Sequence, residues 1–251
     1  MFKFITLLKR EIRSYFHSPT AYIVLCFFLV LTGFNFHMGV ALLSRGPSEV
    51  TVVEAFFNSI PFWIGLILIF PPITMRLFAE EFKLGTMETL LTAPVQDWQV
   101  VLSKFAGAFF FYVVIWLPSF LYFLVFERIT STEASQAAGA FLGSYLFLLL
   151  VGLFFISIGC LASVMTQNQI VAAVMSFCLI ALFFFMGLIS FFSPNISPLL
   201  RDIVAYFSTI EHMGEFSKGI IDSRRLVFYG SSTVLMLFLT LQIFQFRRWK
   251  P

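Results

Sequence analysis

Charged side chains are scarce in this chain, and one short stretch gathers an unusual number of them. From Arg76 to Pro94 the sequence reads RLFAEEFKLGTMETLLTAP, an island between two long apolar runs. Glu80, Glu81 and Glu88, with Arg76 and Lys83, offer ion pairs and hydrogen bonds, which is the chemistry of docking onto another charged surface. Such groups cannot remain in hydrocarbon without large cost, so the island must lie in water, at the end of one membrane span and the start of the next. Its local signals predict order. Gly85 closes one short helix in a left-handed cap, Thr86 opens the next, and Pro94 stops it.

Other chemistries lack their residues. No GxxxxGK[ST] phosphate loop occurs, nor an HExxH zinc motif, nor a GxSxG nucleophile elbow. The Glu80–Glu81 pair is similar to the paired glutamates of some intramembrane proteases, but it sits in a hydrated loop and no zinc-type histidines lie in the spans to complete a metal site. We expect no enzyme activity, no cofactor and no metal on this chain. Cys26, Cys160 and Cys178 fall inside apolar runs, where they act as small apolar residues and indicate no disulfide framework. A net charge of +3 is too small to suggest nucleic acid, and the basic residues gather beside spans instead of along one soluble face.

The elements that carry the island are membrane helices. The 251 residues are 59% hydrophobic, 19% aromatic and only 12% charged, with mean hydropathy +0.94, far from the usual quarter-charged soluble composition. Six runs are long enough to cross about 30 Å of hydrocarbon: Ala21 to Leu43, Ile60 to Phe78, Phe105 to Phe126, Ala138 to Ser163, Ile170 to Phe192 and Val227 to Phe246. Arg76, the one charge within them, lies near an end and can snorkel. The first run begins too late and is too long for a cleaved signal peptide. Placing both termini in the cytoplasm puts ten Lys and Arg residues on inner segments and six on outer ones, in keeping with the positive-inside rule. The expected fold is all-α and polytopic: a single transmembrane domain over 1–251 with an interfacial helix in 1–20, a cytoplasmic segment at 79–96 and an outer loop at 193–226.

Residues 2–16 predict an amphipathic helix. Phe4, Ile5, Leu8, Ile12, Tyr15 and Phe16 share one face, while Lys3, Thr6, Arg10, Arg13 and Ser14 share the other. Its basic side, with Lys9, Arg10 and Arg13, suits anionic headgroups, and His17, Ser18 and Pro19 form an elbow into span one. Pro71 and Pro72 predict a kink or hinge in the inner half of span two. Asn35 and His37 are among the most polar span residues and predict interhelical hydrogen bonds. Asp97 is a candidate N-cap before span three, which carries Trp98 at interface depth and is expected to bend at Pro118. Gly139, Gly143, Gly152 and Gly159 make span four a surface for close helix approach. Thr166 to Gln169 join spans four and five as a tight hairpin. The outer loop opens with breakers from Ser193 to Pro198. Ser208 with Glu211 predicts a capped helix start, and the loop as a whole two short helices in the outer leaflet. Asn195 to Ser197 match a glycosylation sequon, a weak pattern by itself.

The basic elbow, the six spans, EEFKLGTMETLLTAP between spans two and three, TQNQIVAA at the end of span four and EFSKGIIDSRRLVFY before the last span together resemble the permease subunit of type-2 (ABC-2) exporters, in particular permeases of gliding-motility and nitrous-oxide-reductase-maturation systems. The resemblance covers nearly the whole chain. It implies a bacterial inner-membrane protein that dimerises with an identical or homologous permease. It also implies partnership with two cytoplasmic ABC ATPase subunits, which would hold the ATP and magnesium. In that family the loop after span two carries a coupling helix seated in a groove of the ATPase, which here maps to Glu80, Glu81, Gly85, Thr86, Glu88 and Leu91. A free-standing channel or secondary carrier, or a membrane anchor for an assembly, remain alternatives. A carrier, however, should show intramembrane charges and often an internal repeat, and this chain shows neither.

Overall fold

A computed structural model describes residues 2–44, 51–87, 95–130, 138–192 and 204–249, and all secondary structure in these residues is helical. The elements are α1 (Phe2–His17), α2 (Pro19–Leu43), α3 (Val52–Phe57), α4 (Ile60–Thr74), α5 (Ala79–Leu84), α6 (Asp97–Thr130), α7 (Ala138–Val164), α8 (Gln169–Phe192), α9 (Thr209–Phe216) and α10 (Ser223–Trp249). Among the described residues six stretches are long and apolar enough to cross a membrane, and they coincide with the six runs read from the sequence. The molecule is an all-α polytopic membrane protein.

Two spans form the centre. Of the apolar windows, those of span two (α4 with α5) and α7 are 72% and 78% buried, against 17–33% for the other four. Small residues make this possible. A Cβ on Gly159 would stand 2.3 Å from Thr74 Oγ1, one on Gly152 2.3 Å from the Tyr112 ring, and one on Gly143 2.5 Å from the Phe216 carbonyl. A Cβ on Gly139 would meet nothing within 4 Å. Span four is thus the close-packing surface its sequence predicted, but at three of the four glycines.

The span-three helix starts at Asp97, eight residues before the apolar run, and continues to Thr130. At 1.5 Å per residue its 34 residues reach about 51 Å, so its first turns project past the hydrocarbon. Pro118 lies within this continuous helix.

We call the end holding α1 and α5 the elbow end. At the far end, α3 is a helix that the sequence reading did not anticipate. Thr51 and Glu54 form a reciprocal capping box for it. Asn35 is buried, donates to the Phe56 carbonyl (2.9 Å) and accepts from Ser59 Oγ (2.6 Å), so it is an interhelical bond maker. His37 is exposed. Ser208 Oγ accepts from the Glu211 N–H at the start of α9, as its spacing predicted. Residues 204–207 form a further helical turn. The sequon at 195–197 and the breakers from Ser193 to Pro198 lie outside the described residues.

Candidate functional site

Span two is interrupted at the elbow end. The helix runs through Pro71 and Pro72 and keeps the bond from Met75 N–H to the Pro71 carbonyl (2.9 Å). Only at residues 75–78 does it give way to turns before α5 begins. The discontinuity therefore lies beyond the two prolines. Their missing N–H groups release carbonyls one turn earlier, whereas the break is where neighbouring side chains take over the backbone. Ser163 Oγ of α7 accepts from the N–H groups of Phe78 (3.0 Å) and Ala79 (3.2 Å) and donates to the Met75 carbonyl (3.2 Å). Tyr15 of α1 donates to the Ile73 carbonyl (2.7 Å), and burial pushes its own pKa well upward. Orphan groups at a helix end must find such partners when buried.

Charge then ties α5 to its surroundings. Glu81 Oε1 accepts from Arg10 Nη2 of α1 (2.8 Å) and lies 3.0 Å from Lys104 Nζ of α6. Glu11 Oε1 pairs with the same two cations, at 2.8 and 3.3 Å. Lys104 is only 2% exposed, and two carboxylates and the face of Phe78, 5.5 Å from its Nζ, stand where water is lost. Burial by itself disfavours the Arg10 charge, but the hydrogen bond to Glu11 and the fields of Glu11 and Glu81 outweigh it and move its pKa upward. The approach of α1 to α6 depends on Gly107, where a Cβ would stand 2.9 Å from that of Glu11. Tyr15 stacks on Phe111 of α6 one turn away (4.9 Å, 13°).

On the other side of α5, Arg247 of α10 lies over the Phe82 ring (4.8 Å) and donates to the Met165 carbonyl at the end of α7 (3.2 Å). Phe78 packs on Phe244 (5.8 Å). The short helix is thus held by α1, α6, α7 and α10.

These contacts re-sort the residues read from the sequence. Glu81 points into the molecule, and Glu80 stands 4.0 Å from Arg76 at the next turn; both acidic residues have partners within the chain. What α5 presents outward is Lys83, Leu84, Gly85 and Thr86. Gly85 adopts φ 70°, ψ 2°, the left-handed cap its position predicted. Thr86 begins a further helical stretch. Glu88 and Leu91 lie outside the described residues. On α1, Lys9 and Arg13 are exposed, whereas Arg10 turns to the cluster.

The sequence reading missed Glu11, Tyr15 as a hydrogen-bond donor, Lys104 as a buried charge, Ser163 and Arg247. One signal was available: Glu11 is the lone acidic residue of α1 and falls on the stripe with Phe4, Leu8 and Tyr15. Nothing local marks Ser163.

The family described as ABC-2 family transporter protein matches residues 35–210. The chain belongs to that family. The match includes α5 and Lys104 and begins beyond α1. No curated protein sequence matches the chain. It is accordingly a membrane permease of an ABC transporter, a transport subunit for which the family implies ABC ATPase subunits as partners.

Proposed function

We propose that this permease is the transmembrane half of an ATP-driven exporter, that it pairs with a second permease subunit, and that α5 transmits movement of separate cytoplasmic ATPase subunits to span two. The ATPase subunits carry the ATP and magnesium, and this chain hydrolyses none. The observation that carries the reading is the division of labour on α5. Its inner side is fastened by Glu81 to α1 and α6 and by Phe82 to α10, while its tip at Lys83–Thr86 is exposed. A short helix so fastened moves with its neighbours as a lever when its tip is pushed. Residues 79–96, with Glu88 and Leu91, supply the docking face, and Glu80, Glu81 and Gly85 set its aim.

This reading places the elbow end in the cytoplasm of a bacterial inner membrane, with both termini inside and α1 against lipid headgroups. The likeness of EEFKLGTMETLLTAP, TQNQIVAA and EFSKGIIDSRRLVFY to permeases of gliding-motility and nitrous-oxide-reductase-maturation systems supports membership of such a system. Affinity purification in mild detergent, with mass spectrometry of co-purifying chains, tests it. An ABC ATPase should be recovered with the wild type and its hydrolysis should change on reconstitution. Recovery of the permease alone from membranes that contain the ATPase would overturn the proposal.

A further inference from the structure

A cleft of about 480 Å³ opens beside the charge cluster, between α1, the elbow, the start of α2 and the broken end of span two. Its size falls within the roughly 300–1,000 Å³ of small-molecule sites. One wall is apolar, with Ala21, Val24, Ile73 and Leu77, and it runs on into the exposed apolar face of α2 at Tyr22, Ile23 and Phe27. The other is polar, with Ser14, His17, Ser18 and Thr20. An occupant must therefore be amphipathic and reach the cleft from the membrane side.

The charges decide its headgroup. Among the lining residues, Glu11, Glu81 and Lys104 are consumed by one another and by Arg10. Arg76 and Glu80 pair only loosely with each other. They approach no closer than 4.0 Å, with side chains 32% and 40% exposed. Arg76 donates one N–H to Ser18 Oγ, and its Nε, turned toward Glu80, is too far from that carboxylate for a hydrogen bond, so the guanidinium is not saturated. A guanidinium with spare donors beside a half-exposed carboxylate matches a phosphate linked by two carbons to an ammonium. A purely anionic headgroup would meet Glu80 as a like charge, and a trimethylated ammonium has no N–H to give it.

We propose that this cleft binds the headgroup of a phosphatidylethanolamine-type phospholipid, with the phosphate on Arg76 and the primary ammonium on Glu80. The site lies against α5 but involves no ATPase, so it stands or falls separately from the coupling proposal.

The test uses the full chain in detergent micelles holding equal phosphatidylethanolamine, phosphatidylcholine and phosphatidylglycerol, with retained lipid read by native mass spectrometry. One phosphatidylethanolamine per chain should be retained, at least fivefold over either competitor. Arg76→Gln should reduce that retention at least fivefold, and Arg76→Lys should restore part of it. Glu80→Gln should abolish the preference over phosphatidylcholine while phospholipid is still held. Ser14→Trp, on the exposed rim, should block binding with both charges intact, which guards against misfolding of the Arg76 variant. Soluble glycerophosphoethanolamine should not displace the lipid at equimolar concentration. Retention in proportion to the micelle composition, preference for phosphatidylglycerol, undiminished binding by Ser14→Trp, or displacement by the soluble headgroup would each overturn the assignment.

Discussion

The two ends of the bundle are built by different physics. At the elbow end, α1, α5 and α6 meet through four charged side chains, two of each sign. At the far end, α3, α6 and α7 meet through aromatic rings: Phe57 is stacked on Phe123 (6.0 Å, 10°) and edge-on to Tyr145 (5.6 Å). Polar groups there include neutral pairs, such as Asn58 with Ser217 (3.1 Å) and His212 with Tyr229 (3.1 Å), and a single ion pair among the described residues, Arg225 with Glu215 (3.5 Å). Close-packed rings have few alternative arrangements, because every small displacement forfeits dispersion contacts. Arg10, about half exposed, can exchange its carboxylate partners for solvent, while Lys104 stays buried between them. Under the coupling proposal, the elbow end is the part expected to yield and the far end the part expected to hold.

The contrast breaks most visibly by emptying the far end. Phe57→Ala should cost about 3–5 kcal/mol, the usual range for a buried aromatic. The loss should appear as a lower thermal midpoint in detergent that barely responds to salt. A salt-dependent loss would mean that the far end is not a packed core.

At the elbow, Glu81→Gln leaves Lys104 with one carboxylate and should cost about 2–3 kcal/mol, below the 3–5 of a fully buried broken pair because Glu81 is 20% exposed. Its signature is functional as well. A disulfide engineered between α1 and α5 should form faster in the wild type than in the Gln variant. Equal rates would show that Glu81 does not fasten the helix.

Acid should act on the far end. Burial, reinforced by Arg225, lowers the His212 pKa to about 3 from 6.5, so the folded protein keeps it neutral. As pH falls below 6.5, the unfolded chain gains a proton that the folded one refuses. Stability should therefore decline, by about 2 kcal/mol between pH 7 and 5 at 1.36 kcal/mol per pKa unit, and level off below about pH 3. His212→Asn should flatten that slope in thermal unfolding across pH 5 to 7.

The smallest effect on stability belongs to Gly85. No atom lies within 4 Å of where its Cβ would stand, so Gly85→Ala meets only the left-handed backbone penalty, about 1 kcal/mol. Re-aiming of the tip should nonetheless lower stimulation of the partner ATPase more than it lowers the melting temperature. Proportionate losses would reduce Gly85 to a helix terminator.

Local sequence encodes as much as a single turn of helix or a single span can hold. The six spans follow from apolar length, the left-handed cap at Gly85 from a side chain that is absent, and the start of α9 from Ser208 meeting the Glu211 N–H. Each of these is settled within a few residues, whatever surrounds them. The inward turn of Glu81 comes from helix packing, because its partners lie 71 and 23 positions away, at Arg10 and Lys104. The same holds for the break at 75–78, held by Ser163 from 85 positions on. A carboxylate next to a helix cap has the same local signature whether water, a partner protein or a buried lysine receives it. Which one does is a property of how the helices pack, and that packing rests on the small residues at Gly107, Gly152 and Gly159.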